Sequence, residues 1–104
     1  MTEAQVEKAM HYLAETDEPH AKAKALVKGL EQSLKTVKAI AFLGSEGTVA
    51  ERESQAYASM EYRAQTEAYQ NAIGDYELME NKRTRAVLTI DCWRTMESSR
   101  RKGL

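Results

Sequence analysis

The sequence is poor in the residues that build turns and sheets. One proline and five glycines in 104 residues leave little turn material, and aromatic residues make up only 7%. A sandwich or barrel of many short strands is therefore disfavoured. The single cysteine, Cys92, excludes an intramolecular disulfide and fits a reducing compartment. No apolar run approaches the roughly 18 residues of a membrane span, and Met1 to Leu13 lacks the basic and apolar regions of a secretion signal. A soluble, cytoplasmic protein with no membrane partner is expected. Two histidines and one thiol are a meagre stock of metal ligands. Glu7 and His11 stand one helical turn apart but have no third ligand, and His20, beyond a proline, is expected at the surface or as a cap, so no metal is expected. Gly44 and Gly47 lack the following Lys-Ser/Thr or third glycine of a phosphate-binding loop. A net charge of −1 leaves no global field to attract nucleic acid or membrane.

What is present is helical material. Apolar residues make up 42% and charged residues 30%, and fifteen of the apolar residues are alanine. Alanine suits close helix packing but buries little area, so a monomer would have a thin core and self-association would thicken it. Thr2 with Gln5 forms a capping box, and Val6, Met10 and Leu13 follow at helical spacing, which predicts a helix over 2–15. Pro19 predicts a bend, with Thr16 or Asp17 capping a second helix over 19–43. From Ala23 to Leu43 the apolar positions recur with a mean period near 3.5, the signature of a coiled-coil seam. Gly44 is placed as a C-terminal cap, 44–48 as a turn, and Thr48 with Glu51 as the next capping box. A short helix over 49–58, a jog at Ser59 and a long helix over 60–99 follow, with a basic tail over 100–104. Tyr62, Tyr69 and Tyr76 repeat every seven residues in that last helix. The expected fold is one all-α domain over 1–104, a long antiparallel hairpin with coiled-coil-like packing, bent near Pro19 and Ser59.

Charge is distributed in blocks. Residues 20–43 carry five Lys against one Glu, residues 44–81 carry eight acids against two Arg, and residues 82–104 carry seven Lys or Arg against Asp91 and Glu97. Antiparallel packing of the first two blocks brings opposite fields together, although exposed pairs contribute only tenths of a kcal/mol each. The last block is the one concentrated basic feature. Lys82, Arg83, Arg85, Arg94, Arg100, Arg101 and Lys102 are the candidate contacts to single-stranded nucleic acid, set against a solvated helix C-terminus that the macrodipole favours. The tyrosines sit in the acidic block, which repels phosphate, so they read as packing residues against the other helix or another subunit.

Tyr69, Ile73, Tyr76, Met79, Ile90 and Trp93 form the expected seam for a homodimer or higher oligomer, because Leu, Ile, Val and Phe are sparse between Gly44 and Ala72. Cys92 is expected to pack beside Ile90 and Trp93. No serine or cysteine is accompanied by a recognisable base and oxyanion pocket, and the acid clusters read as solvated helix faces, so neither catalysis, a cofactor nor a small-molecule substrate is expected.

Glu51-Arg52-Glu53, Ala56-Tyr57-Ala58-Ser59 and Glu61-Tyr62, followed by Trp93-Arg94-Thr95 and Ser98-Ser99-Arg100-Arg101, resemble short helical proteins of tailed bacteriophages. The resemblance covers roughly the second half of the chain, with Met60 standing where such proteins often carry proline. It implies a context near phage replication and recombination, and hence a non-enzymatic accessory or inhibitor that binds a protein of that machinery. Sequence-independent binding of single strands by the basic end is the alternative.

Overall fold

Three helices account for nearly all of residues 1–103, which the computed structural model describes. They are α1 (Glu3–Leu43), α2 (Val49–Ala58) and α3 (Met60–Lys102), with no strand among the described residues. The protein is all-α, with α1 and α3 packed against each other as a hairpin requires. These helices form two compact units: Met1–Lys22 with residues 77–103, and Ala23–Tyr76. Helices α1 and α3 each contribute to both.

The capping box at Thr2 forms with both of its bonds, and Thr48 caps α2 through one. Thr2 N–H donates to Gln5 Oε1 at 2.9 Å while Gln5 N–H donates to Thr2 Oγ1 at 3.3 Å. Glu51 N–H donates to Thr48 Oγ1 at 3.2 Å, with Thr48 in extended backbone. Ser59 divides α2 from α3: its N–H and hydroxyl both reach Ala56 O, and its Oγ accepts from Tyr62 N–H at 3.2 Å, closing one helix and opening the next.

Three details differ from the sequence reading. Helix α1 runs through Pro19 without a break. Proline removes the N–H that would bond Glu15 O, but Glu15 is exposed to water, and half-buried Thr16 and His20 hold both sides of the proline in the packed helix. The left-handed residue of the turn is Gly47, at φ 112°, rather than Gly44, whose N–H still bonds Ile40 O. At the end of α1 the Ser45 hydroxyl also donates to Ala41 O, at 2.7 Å. Helix α3 continues to Lys102, so Arg100 to Lys102 form its last turn rather than a tail.

The burial pattern on both long helices repeats every seven residues. On α1, Val6, Leu13, His20, Val27, Leu34 and Ala41 share one position, with Ala9, Thr16, Ala23, Leu30 and Val37 three residues on; all are buried or half-buried. On α3 the columns are Tyr62, Tyr69, Tyr76, Arg83, Ile90, Glu97 and Gln65, Ala72, Met79, Ala86, Trp93, again all at least half-buried. Paired columns three and four residues apart are the a and d positions of a coiled coil.

The seam is thin because small residues occupy its deepest points. The buried apolar residues are Val6, Ala9, Ala56, Ala72 and Ala86, and no large side chain is fully buried among the described residues. The accessible surface is 7838 Å².

Candidate functional site

In the first unit the seam is interrupted by a polar layer beside Pro19. Arg83 reaches from α3 to α1, where its guanidinium donates to Leu13 O at 2.9 Å and to Thr16 Oγ1 at 2.6 Å and stands 3.6 Å from Asp17 Oδ1. Thr16 in turn donates to Tyr12 O at 2.6 Å. One turn away, His20 Nε2 pairs with Glu80. Residue numbers rise along α1 as they fall along α3 between these pairs, so the two segments are antiparallel. Setting Arg83 opposite Thr16 places Ala86 opposite Leu13, Ile90 opposite Ala9 and Trp93 opposite Val6 in the heptad register. Polar groups at a and d positions fix register, because any slip leaves them without partners.

This layer went unread in the sequence, yet its signal was there. Arg83 is the next member of the series Tyr62, Tyr69, Tyr76, and His20 follows Val6 and Leu13 at the same spacing. Expected as a surface or capping residue, His20 is instead half-buried and paired. Thr16, expected as a cap, is instead a mid-helix acceptor for Arg83.

The proposed nucleic-acid residues are dispersed. Arg83 belongs to the seam, with only 19% of its side chain exposed. Arg85 lines a shallow groove with Lys8, Ala9, Tyr12 and Ala86. Arg94, Arg101 and Lys102 come together with Trp93, Glu97 and Ser98 around another groove. Arg94 lies 4.0 Å from Asp91, and Arg100 bonds Glu97 at 2.7 Å. Lys82 is exposed. Cys92 is exposed, not packed as expected, with its thiol 4.0 Å from Met96 Sδ.

The residues expected at a subunit interface lie on the inner columns or immediately beside them. Met79, Ile90 and Trp93 flank Arg83 in the first unit, and Tyr69, Ile73 and Tyr76 continue the series in the second. All six are half-buried within the single chain.

In the second unit the end of α1, the turn and α2 form a tip rich in uncovered apolar side chains. Ile40, Leu43, Val49 and Met60 are 65%, 79%, 71% and 82% exposed. A groove runs between Ala39, Phe42, Leu43 and Val49, with Lys35, Lys38 and Glu53 on its rims. Lys38 ties α1 to α2: its ammonium donates to the Tyr57 hydroxyl, lies 4.0 Å from the centre of that ring and stands 3.4 Å from Glu53 Oε1. The hydrogen bond to Tyr57, helped by the Glu53 carboxylate and opposed by partial burial, raises the Lys38 pKa above its ordinary value. Tyr57 packs edge-on against Tyr62, with ring centroids 5.3 Å apart.

Among the described residues no group of three His, Cys, Asp or Glu side chains is placed to hold a metal ion. No described helix is long and apolar enough to cross a membrane. Comparison with known proteins finds no family model, no curated protein and no solved structure that matches the chain.

Proposed function

We propose that this chain is a non-enzymatic protein-interaction module, an accessory or inhibitor that acts by presenting helical surfaces to a partner protein. One observation carries the reading. Twelve large apolar side chains are exposed among the described residues while no large side chain is fully buried, an imbalance that marks surfaces built to be covered by another protein. The grooves are open, and none of those among the described residues brings a nucleophile, base and oxyanion donor to one point. The resemblance to short phage proteins points to a partner in replication or recombination machinery in the cytoplasm of a bacterial host. The test is capture of partners from bacterial lysate by the tagged chain, identified by mass spectrometry and then reconstituted from purified components. Absence of any specific protein partner, together with tight binding of DNA, would reverse the reading.

A second reading rests on the groove that gathers Trp93, Arg94, Arg101 and Lys102 at the end of α3. Cations beside an aromatic ring suit a single strand, whose phosphates and bases they would engage together. If about four phosphates are neutralised, affinity should fall with a log–log salt slope of roughly −3. A gel shift at low salt supports this reading if Arg101→Ala with Lys102→Ala flattens the slope. No complex at tens of micromolar protein removes it.

A further inference from the structure

We propose that the tip formed by the end of α1, the turn and α2 is a self-docking surface whose occupant is the same tip of a second copy of this chain. The proposal rests on the interaction-module reading and names one partner for it.

Two observations point to a second copy. The first is exposure. The tip carries Leu43, Val49 and Ile40, among the most exposed apolar side chains of the described residues, and Leu43 and Val49 line a groove with Ala39 and Phe42. The expected seam residues cannot serve as such a surface, because they already lie on or beside the inner columns of the hairpin.

The second is charge. Residues 33–43 carry Lys35 and Lys38 and no acid, while residues 44–58 carry Glu46, Glu51 and Glu53 against Arg52. The patch therefore has a basic edge on α1 and an acidic edge on the turn and α2. A bipolar surface is complementary to itself under a two-fold rotation, which lays each edge on the opposite edge of the other copy. In that arrangement Lys35 of one copy faces the acidic turn of the other, which carries Glu46. Both are exposed. Lys38 and Glu53 are meanwhile paired with each other inside one chain. Leu43 and Val49 of each copy then fill the groove of the other.

Sedimentation equilibrium on the full chain tests this at tens of micromolar, a concentration at which even a weak specific dimer is populated. The wild type should have the mass of a dimer. Leu43→Glu with Val49→Glu should give a monomer with unchanged helical circular dichroism, because both positions are largely exposed in the single chain. Leu88→Glu, at another exposed position but in the first unit, should stay dimeric. Lys35→Glu should weaken the dimer at least about tenfold, and adding Glu46→Lys should restore it. A monomeric wild type, or a dimer indifferent to the Leu43 and Val49 changes, overturns the proposal. A monomer that still binds a different protein sinks self-docking alone. A dimer that captures no other protein leaves self-docking standing and removes the reading as an accessory to another protein.

Discussion

Removing the Arg83 guanidinium should cost more than its place on a helix surface face of mixed charge would suggest. Its guanidinium makes two hydrogen bonds, at 2.9 Å to Leu13 O and 2.6 Å to Thr16 Oγ1, and the side chain is only 19% exposed. Hydrogen bonds from a charged donor contribute about 1.5–3 kcal/mol each, but both acceptors keep other roles, Leu13 O in the helix and Thr16 through its bond to Tyr12. Water can also enter so thin a seam. Arg83→Ala, which also loses the packing of the aliphatic stem, should therefore destabilise by about 2–3 kcal/mol. For a chain of this size that lowers Tm by roughly 10 °C or somewhat more. The Asp17 carboxylate is 84% exposed and 3.6 Å away, so Asp17→Asn should cost at most about 0.5 kcal/mol. A cycle of Arg83→Met and Thr16→Val should show a coupling of about 1 kcal/mol, with the double variant close to wild type because no polar group is left unpaired. Thermal and urea unfolding followed by circular dichroism measure all of these. An Arg83→Ala protein that melts with wild type, or an Asp17→Asn protein that loses as much as Arg83→Ala, would refute this account of the layer.

The register itself is open to a chemical check: in a Cys92→Ser background, cysteines at Leu13 and Ala86 should form an intramolecular disulfide on mild oxidation, and its absence would mean the two segments are offset. Gly74→Ala should raise stability by about 0.5–1 kcal/mol, since a Cβ there meets nothing within 4 Å. Gly47→Ala should lower it by about 1–2 kcal/mol, because φ 112° suits glycine and the new Cβ would strike the Glu51 carboxylate; equal effects at the two sites, seen in urea midpoints, would contradict this. The raised Lys38 pKa makes its tie between α1 and α2 fully present below the unfolded lysine value near 10.5 and lost as pH climbs through the raised one. The gap in Tm between wild type and Lys38→Met should therefore close only in strongly alkaline solution, and a gap that closes near neutrality would exclude the tie.

What could be read from the sequence followed the strength of each local signal. Thr48 before Val49 and Ser59 before Met60 are side-chain caps that act within three residues, so α2 and the start of α3 were predicted to the residue. Pro19 misled because its local cost, one lost hydrogen bond, is outweighed by packing from α3, which no local rule contains. Gly44 directly follows the last residue of α1, where the sequence places a cap, while the positive φ of the turn falls to Gly47. Counting charge in blocks puts Arg83 on a basic surface, whereas its seven-residue spacing from Tyr76 places it in the seam. The heptad spacing of the tyrosines fits either the other helix or another subunit, and their half-buried state on the inner columns of one chain speaks for the other helix. Cys92 sits two residues past Ile90, which turns it out of the inner columns and into solvent.

The spacing of the interhelical bonds along the chain has a kinetic consequence. Near the turn, Lys38 joins Glu53 and Tyr57 across only 15 and 19 residues, while the polar layer joins groups 60 to 70 residues apart. Each closure made near the turn shortens the loop that the next one must close, and the entropy of closure grows with the logarithm of loop length. Assembly should thus zip outward from the turn, with Lys38 and Tyr57 structured in the folding transition state and the Arg83 layer joining late. Changes at Arg83 would then appear almost wholly as faster unfolding. The same ordering sets how the native protein frays, from the ends Glu3 and Lys102 inward, so that amide exchange should slow progressively toward the turn.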